Sequence, residues 1–327
     1  MSCASDNIDV GAETGPGEGV GRLSARLVHS VAQVGQHYVD TRSLPEEGKP
    51  ADGEQVFIPD RRGNRLERYS FEVAADRRSH RLLLRASTEI AGQFQNITPA
   101  GPDYRLAGSP GLAPPGWTHC LEAPGVPDAT ARELAELLSE VITLPTLPPV
   151  EFAIAMDWYK VPADGVDPRD WRNTPDGQRV YVGKYWTSTP EAMAEAGRAL
   201  VRRLVGVIQR HPVLASADVV VAVPGHDRTY LSFGERIGAS VGSALGLPLV
   251  RVTTPREFRP PAKDLPTAGD DAVWSEFSVA ENLTGATALV VDDVLRTGRT
   301  MSAVGSAVTR AGAARACGLV AVRTMRR

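Results

Sequence analysis

Two adjacent carboxylates, Asp292 and Asp293, stand at the end of an apolar run and directly before a turn of glycine, threonine and arginine. Carboxylates in such a place can accept hydrogen bonds from the diol of a sugar. The turn, 296–300, opens a helical pattern, and the free backbone N–H groups at a helix start can hold a phosphate dianion. Gly298 lets the backbone approach a ligand closely, and the two threonines add hydroxyl donors. This order of residues predicts a site for a phosphorylated sugar.

A second turn with the chemistry of an anion site, Pro224-Gly-His-Asp-Arg228, follows another apolar run. Gly225 suits a backbone that approaches an anion, and Arg228 can neutralise negative charge. The same residues also suit an ordinary turn between a strand and a helix, in which His226 is only a surface residue. Both interpretations stay open on the sequence alone.

Three of the five tryptophans fall within about thirty residues, at Trp158, Trp171 and Trp186. Together with Tyr159, these aromatic side chains can stack on a base, or they can pack the preceding part of the chain onto a sheet. Packing is the simpler interpretation. Because the sequence ends straight after its last predicted strand, any cover for a bound base is expected from residues before 215.

Between residues 150 and 327, strand-like apolar runs alternate with amphipathic helical patterns, which is typical of a doubly wound parallel sheet. The predicted strands are Phe152–Met156, Asp218–Pro224, Leu249–Thr253, Ala286–Val291 and Gly318–Arg323, and the predicted helices are Pro190–Gln209, Ser232–Leu245 and Thr300–Ala311. Ligands bind such sheets at the carboxyl ends of the strands, which is where Asp292 and Asp293 fall.

The first half of the chain shows a different pattern. Its predicted strands lie at 56–58, 69–73 and 81–85, and its predicted helices lie at 23–39 and from the capping box Thr130-x-x-Glu133 onward. A proline-rich break, 144–149, marks the expected domain boundary. The predicted organisation is a disordered tail at 1–20, an α+β domain of unknown role at 21–149, and an α/β domain at 150–327.

Composition and charge limit the partners and the cellular location that can be expected. The net charge of −3 gives no field that would draw the chain to nucleic acid or to a membrane, so neither is expected as a partner. Cys3, Cys120 and Cys317 are too far apart for a zinc ribbon and do not form a disulfide framework. No apolar run has the length of a membrane span, and no signal-peptide pattern is present. We therefore expect a cytoplasmic protein, with a homodimer as a possible assembly.

The stretch from Asp292 to Thr300 closely resembles the signature of type I phosphoribosyltransferases, which bind 5-phosphoribosyl-1-diphosphate (PRPP). Further pieces occur in the order found in ComF-type phosphoribosyltransferases: Lys184-Tyr185, Val221-Ala-Val-Pro224, Gly246-Leu-Pro248 and Glu276–Gly285. The resemblance covers residues 150–327. It implies a type I phosphoribosyltransferase-like parallel sheet flanked by helices, preceded by a smaller α+β domain.

The resemblance also implies roles for individual residues. Asp292 and Asp293 position the ribose as the catalytic pair. The other implied contacts are Leu295, Arg296, Thr297, Gly298, Arg299 and Thr300 for the 5-phosphate; Pro224, Gly225, His226, Asp227 and Arg228 for the diphosphate; and Trp158, Tyr159, Trp171 and Lys184 for the base or other acceptor. Mg²⁺ is implied as the cofactor, bound through PRPP and contacted through water by the two aspartates. The implied partners are PRPP and a small-molecule acceptor with a nitrogen nucleophile.

Departures from the family pattern leave the reaction open. The four-cysteine zinc finger of many ComF proteins is absent, and 231–234 and 255–261 replace segments expected of the family. Arg296 stands where enzymes that use 6-oxopurines carry an aspartate, which argues against that substrate class. The segment 254–275 is either a mobile loop over the reaction or a plain linker. A catalytically silent PRPP- or nucleotide-sensing module is therefore one alternative, and a ComF-like accessory protein is another.

Overall fold

The computed structural model describes residues 57–95, 97, 104–107, 113–145, 147–184, 188–226, 231–254 and 277–325, together with the backbone of 27–29. In chain order the elements are β1 (Leu27–His29), β2 (Arg68–Val73), β3 (Ser79–Arg85), α1 (Thr88–Gln95), β4 (Arg105–Leu106), β5 (His119–Pro124), α2 (Ala129–Glu140), β6 (Ile142–Thr143), β7 (Phe152–Trp158), α3 (Pro175–Lys184), α4 (Pro190–Arg210), α5 (Pro212–Ala215), β8 (Val219–Ala222), α6 (Phe233–Leu245), β9 (Leu249–Val250), β10 (Val252–Thr253), β11 (Ser278–Val279), β12 (Thr287–Leu295), α7 (Arg299–Arg310) and β13 (Arg315–Arg323).

The C-terminal sheet has six strands in the order β6-β7-β13-β12-β8-β9. All neighbours are parallel except β6, which pairs with β7 in the antiparallel sense. Side chains of α4 and α6 pack with one face of β12, and side chains of α7 pack with its other face. A strand covered on both faces must be apolar throughout, which explains the continuous runs in β8 and β12. The predicted α/β fold with a helix-flanked parallel sheet is confirmed.

Most predicted elements of this region have their expected positions, and α6 shows why. Ser232 caps the helix: its hydroxyl accepts from the Glu235 N–H at 3.1 Å, and the Glu235 carboxylate accepts from the Ser232 N–H at 2.9 Å. Such a reciprocal capping box satisfies two donors that a helix start otherwise leaves without partners. The helix α3 was not predicted. Its start has a readable signal, because Thr174 accepts from the Gly177 N–H and Pro175 is the first helical residue.

The N-terminal sheet is antiparallel, in the order β1-β2-β3-β5-β4. The strands predicted at 69–73 and 81–85 are confirmed as β2 and β3. The strand predicted at 56–58 is wrong, since 57 and 58 have no regular structure. The helix predicted over 23–39 is also wrong at Leu27–His29, where β1 pairs with β2; its remaining residues lie outside the described ranges.

The helix predicted from the capping box at 130–133 exists as α2, but its cap is a different residue. Asp128 precedes the helix, and its carboxylate accepts from the Ala131 N–H at 2.7 Å. Aspartate competes well for this position because a carboxylate also interacts favourably with the positive end of the helix dipole. The expected Thr130 cap therefore lies inside the first turn.

The two sheets share one hydrophobic cluster, to which α1 and α2 contribute from the first half of the chain and α4 and β7 from the second. Arg210 of α4 forms an ion pair of 2.6 Å with Glu140 of α2. The short strand β6, which precedes the expected boundary, is part of the C-terminal sheet. The hydrophobic packing runs continuously across residue 149. The domain division at that residue stays a prediction.

One buried cysteine lies in each sheet, Cys120 in β5 and Cys317 in β13, and neither is in a disulfide. Burial raises the pKa of both thiols, that of Cys317 to about 12. None of the helices in the described ranges has the length and apolar character needed to cross a membrane.

Candidate active site

The strand β12 carries the two predicted sugar-binding carboxylates at its carboxyl end. Asp293 is buried, and its Oδ2 lies 3.0 Å from the Nζ of Lys184 at the last turn of α3. The Asp293 N–H donates to the Asp292 Oδ1 at 2.8 Å. The pair is therefore held by its own backbone and by a lysine that comes from a distant part of the sequence. The structure brings Lys184 to the acidic pair, whereas the sequence placed it among the acceptor contacts.

The protonation of Asp292 is shifted by its surroundings. Burial raises the pKa of Asp292 well above its usual range, and the neighbouring Asp293 carboxylate raises it further. The Asp293 N–H and the Lys184 ammonium oppose this effect. A carboxylate placed beside another carboxylate disfavours the charged form of its neighbour.

The start of α6 packs directly on the acidic pair. A Cβ atom added to Gly234 would lie 3.0 Å from the Asp292 Oδ1 and 3.5 Å from the Asp293 nitrogen. Only glycine lets the helix come this close without displacing a carboxylate. On the sequence, Gly234 is part of a predicted helix start and of a segment that departs from the family pattern. The structure shows that Gly234 is a contact residue of the pair.

The predicted phosphate turn has the backbone of an anion site. Gly298 adopts φ +80° and is the N-cap of α7, where it offers no side-chain cap. A Cβ on Gly298 would lie 2.4 Å from the Leu147 Cδ2, so another residue there would strain the backbone and displace the Leu147 side chain. The backbone N–H groups of a helix start suit an anion.

The side chains of this turn differ in exposure. Leu295 is buried in the core and takes part only through its backbone, Thr297 is exposed, and the remaining side chains are half-buried. The Thr297 hydroxyl lies 3.5 Å from the Arg299 nitrogen. Arg296 and Arg299 thus have partial access to solvent at the rim of the turn, where a guanidinium can meet a phosphate.

The turn after β8 lies beside the acidic pair, because β8 and β12 are neighbouring parallel strands with Ala222 opposite Val291. The Gly225 N–H, expected to bind diphosphate, donates to the Glu235 carboxylate at 3.2 Å. His226 is exposed, in keeping with either interpretation of this turn. Asp227 and Arg228 lie outside the described residues, as does the segment 255–276. The strands on either side of that segment, β10 and β11, pair with each other.

The aromatic residues divide into two groups. Tyr159 and Trp171 line an open cleft of about 670 Å³, together with Tyr181, Gln178 and Asn173 among others. Trp158 instead packs against the hydrophobic cluster between the sheet and α7, as the packing interpretation expects. Tyr181 and Gln178 belong to α3, the helix whose last residue reaches Asp293. The cleft and the acidic pair are therefore joined by one helix.

A buried aspartate with two arginine partners helps to fix the position of α3. The Asp176 carboxylate is buried and lies 2.7 Å from Arg179 and 2.9 Å from Arg203 of α4. A Cβ on Gly177 would lie 2.0 Å from the Tyr159 carbonyl oxygen, and one on Gly183 would lie 2.3 Å from the Phe233 ring. These close approaches hold the helix against both the end of β7 and the start of α6.

The comparison with known families agrees with this geometry. A family model described as the phosphoribosyl transferase domain matches residues 231–326, less than a third of the 327 residues. This stretch is similar to that family. It contains Asp292, Asp293 and the turn 296–300, whereas the turn after β8 and the aromatic cleft lie before it.

Several solved structures are similar to this chain. A purine phosphoribosyltransferase from Pyrococcus horikoshii Ot3 is 19% identical, with a TM-score of 0.26 over 39% of this chain and 85% of that one. An adenine phosphoribosyltransferase from Saccharomyces cerevisiae is 18% identical, with a TM-score of 0.30 over 60% and 89% of the two chains. A phosphoribosylpyrophosphate synthetase from Mycobacterium smegmatis is 20% identical, with a TM-score of 0.27 over 38% and 33%. No protein of curated function matches the sequence.

Proposed function

We propose that this protein is a phosphoribosyltransferase that moves the 5-phosphoribosyl group of PRPP to a nitrogen nucleophile and releases diphosphate. The observation that carries the proposal is the continuity of Asp292, Asp293 and the turn 296–300 in one strand–turn–helix unit. This unit places carboxylates for a ribose diol directly before backbone donors for a phosphate. It also lies inside the stretch that matches the phosphoribosyl transferase domain.

In this proposal the protein works by positioning and charge. Asp292 and Asp293 hold the ribose hydroxyls, and Lys184 keeps the Asp293 carboxylate in place at 3.0 Å. The N–H groups at the start of α7 hold the 5-phosphate. With both ends of the sugar fixed, the anomeric carbon is held for attack while diphosphate departs. Preorganised donors of this kind act on developing charge without a separate acid or base.

Mg²⁺ belongs to the proposal as the cofactor of the diphosphate. Carboxylate oxygens are hard ligands that suit Mg²⁺, which usually keeps several waters and binds together with substrate phosphates. Asp292 and Asp293 would contact it through such waters. When bound, the ion supplies positive charge to the leaving group.

The acceptor side of the proposal rests on the aromatic cleft. Tyr159, Trp171 and Tyr181 supply ring faces, and Gln178 and Asn173 supply amide donors and acceptors. Such a lining suits a planar heterocycle. Arg296 at the rim of the phosphate turn cannot accept a proton from a purine N7, which supports an acceptor other than a 6-oxopurine.

A catalytically silent PRPP sensor is the second candidate. The observation that favours it is that the Gly225 N–H, expected to bind diphosphate, donates to the Glu235 carboxylate at 3.2 Å. The ComF-like subtype remains part of the proposal through the order of its sequence pieces, as do a cytoplasmic location and a possible homodimer.

Calorimetry with Mg²⁺-PRPP tests the proposal, using wild type and Asp292→Asn/Asp293→Asn. We expect the double variant to bind at least tenfold more weakly, because each charge-assisted hydrogen bond contributes about 1.5–3 kcal/mol. Asp218→Asn is a matched control, since Asp218 lies at the opposite end of the same sheet and accepts from the Thr287 N–H. Absence of PRPP binding by wild type would refute both candidates. Diphosphate release with a panel of bases and amines would then separate enzyme from sensor.

A further inference from the structure

A short arginine-containing turn from the first half of the chain reaches the carboxyl ends of the C-terminal strands. In this turn the Arg62 guanidinium forms two hydrogen bonds with the Asp60 carboxylate, at 2.9 and 2.8 Å. Asn64 pairs with Thr143 of β6 through two backbone hydrogen bonds of 2.8 and 2.7 Å. The bidentate pair and the backbone pairing give the turn a fixed place at the edge of the sheet.

From this place Arg62 contacts the end of β13. Its Nη1 donates to the Met325 carbonyl at 3.1 Å, and its own carbonyl accepts from the Arg323 Nε at 3.1 Å. Arg323 is only 8% exposed and also donates, through Nη1, to the Leu295 carbonyl at 3.2 Å. The Thr324 N–H donates to the same Leu295 oxygen at 3.0 Å. A chain of hydrogen bonds therefore runs from Arg62 to the residue that begins the phosphate turn.

Fixing the Leu295 carbonyl has a direct effect on the turn. The Leu295 C=O and the Arg296 N–H belong to one planar trans peptide and point in opposite directions. Two donors on the carbonyl therefore set the direction of the first N–H of the turn. The break between the predicted domains supports the same region, because Leu147 lies under Gly298 and the Ser302 hydroxyl of α7 donates to the Pro148 carbonyl.

The positive charge of Arg323 also favours phosphate binding at the turn. Burial and the nearby Arg62 lower the pKa of Arg323 to about 10, so it remains protonated at neutral pH. Its Nη1 contacts a carbonyl and its Nε contacts another, so no carboxylate is among its hydrogen-bond partners in the described residues. A buried positive charge beside the turn favours a phosphate dianion there.

We infer that Asp60, Arg62 and Arg323 are positioning residues for the 5-phosphate, so that the first half of the chain is a structural part of this subsite. The inference rests on the proposed function, because it takes the turn 296–300 as the phosphate turn. None of these three residues was singled out from the sequence, and two of them lie outside the stretch that matches the family model.

Arg62→Ala tests the inference, with ribose 5-phosphate and Mg²⁺-diphosphate titrated separately by calorimetry. The variant keeps the Arg62 carbonyl but removes the side chain that holds it. We expect affinity for ribose 5-phosphate to fall by about tenfold, the scale of one lost charge-assisted hydrogen bond, while diphosphate affinity is unchanged. Arg62→Lys should recover part of the loss, since lysine keeps the charge without the bidentate geometry.

Arg65→Ala is the matched control. Arg65 also joins the first half of the chain to the C-terminal sheet, through Asp157 at 2.7 Å, but at β7 and away from the turn. It should change neither affinity. If Arg62→Ala unfolds in a thermal melt, Asp60→Asn loosens the same guanidinium and replaces it in the titrations.

The outcomes are distinct. Unchanged ribose 5-phosphate binding in a folded Arg62→Ala protein would overturn the inference, as would equal weakening of both ligands, which indicates a general loss of structure. If wild type binds Mg²⁺-diphosphate but no ribose 5-phosphate, the proposed function fails, and the inference fails with it.

Discussion

Lys184 and Asp293 form an ion pair on which the proposed sugar site depends. The lysine side chain is 42% exposed and the aspartate 8%, so the carboxylate is the member that needs its partner. Removing one partner of a largely buried pair leaves an uncompensated charge, which costs more than the pair itself contributes. Here that charge would lie beside Asp292, whose own protonation is already shifted by burial.

Lys184→Met should weaken Mg²⁺-PRPP binding by tenfold or more, on the order expected for an unpaired buried carboxylate. Lys184→Arg should retain most of the affinity. Calorimetry measures both. Lys160→Met is the control, because Lys160 donates to the Pro168 and Arg169 carbonyls at one side of the cleft. Wild-type affinity in Lys184→Met would show that the ion pair does not support the ligand site.

The residue types in the sequence indicated where the candidate site lies, but not which of its residues contact each other. Asp292 and Asp293 could be found because they follow an apolar run and precede a glycine turn. Lys184 lies 109 positions before Asp293, and a pattern in one sequence carries no signal for that contact. Gly234 could not be recognised for the same reason: its role is set by the 3.0 Å approach to Asp292.

At the scale of elements, the junction of β12 and α7 sets the geometry of the phosphate turn. Gly298 has a positive φ and packs against Leu147. A side chain at this position would therefore strain the backbone and also displace the Leu147 side chain. Gly246, the C-cap of α6, has a similar φ of +68° but open space around it. The two glycines differ only in packing and location, which makes them a matched pair for mutation.

Gly298→Ala should destabilise the protein by more than Gly246→Ala, for which about 1 kcal/mol is expected from the backbone alone. Only Gly298→Ala should also weaken PRPP binding. Denaturant unfolding and calorimetry measure the two effects. Adding Leu147→Ala to Gly298→Ala should ease the packing cost and leave the backbone cost. Equal destabilisation by both single substitutions would show that Leu147 does not restrict the turn.

Strong periodicity allowed α4, α6 and α7 to be predicted to within a residue or two, because a helix that buries one face must repeat its apolar residues. The helix α3 escaped notice, since its buried positions include Asp176, Gly177 and Gly183 besides Val180. A helix that packs through glycines and a buried aspartate has no apolar stripe. Its only signal was the Thr174-Pro175 start.

At the scale of the whole molecule, a buried polar network joins α1 to β6 and to the junction of α4 and α5. His211 accepts from the Leu214 N–H through Nδ1, so its Nε2 carries the proton and donates to Gln93 at 3.0 Å. Gln93 in turn donates to Thr143 of β6 at 2.9 Å. The His211 ring also stacks on Phe152. Every polar atom of the ring is therefore satisfied only while the imidazole is neutral.

This network predicts a dependence of stability on pH. Burial, with a smaller effect of Arg315, lowers the pKa of His211 to about 3. The unfolded chain takes up the proton near pH 6.5, so this stabilisation is present above pH 6.5 and is lost as the pH falls towards 3. His211→Gln should reduce the slope of unfolding free energy between pH 6 and 4 by up to about 1.4 kcal/mol per pH unit.

Chemical denaturation at several pH values measures that slope. An unaltered slope in His211→Gln would show that the imidazole is not held neutral in the native protein. No sequence pattern indicated this network, because its members come from α1, β6 and the junction of α4 and α5 and meet only in the folded molecule.

Cys120 is buried in the N-terminal sheet and Cys317 in the C-terminal sheet. Their reactivity can therefore show whether the two sheets open together. Each thiol reacts with an alkylating reagent only when its own sheet opens, because the thiolate is the reactive form and burial suppresses it. Peptide mass spectrometry after timed labelling would report the two openings separately within one sample. Equal rates would indicate one cooperative unit. Faster labelling of Cys120 would show that the first half of the chain can open while the sugar site stays closed.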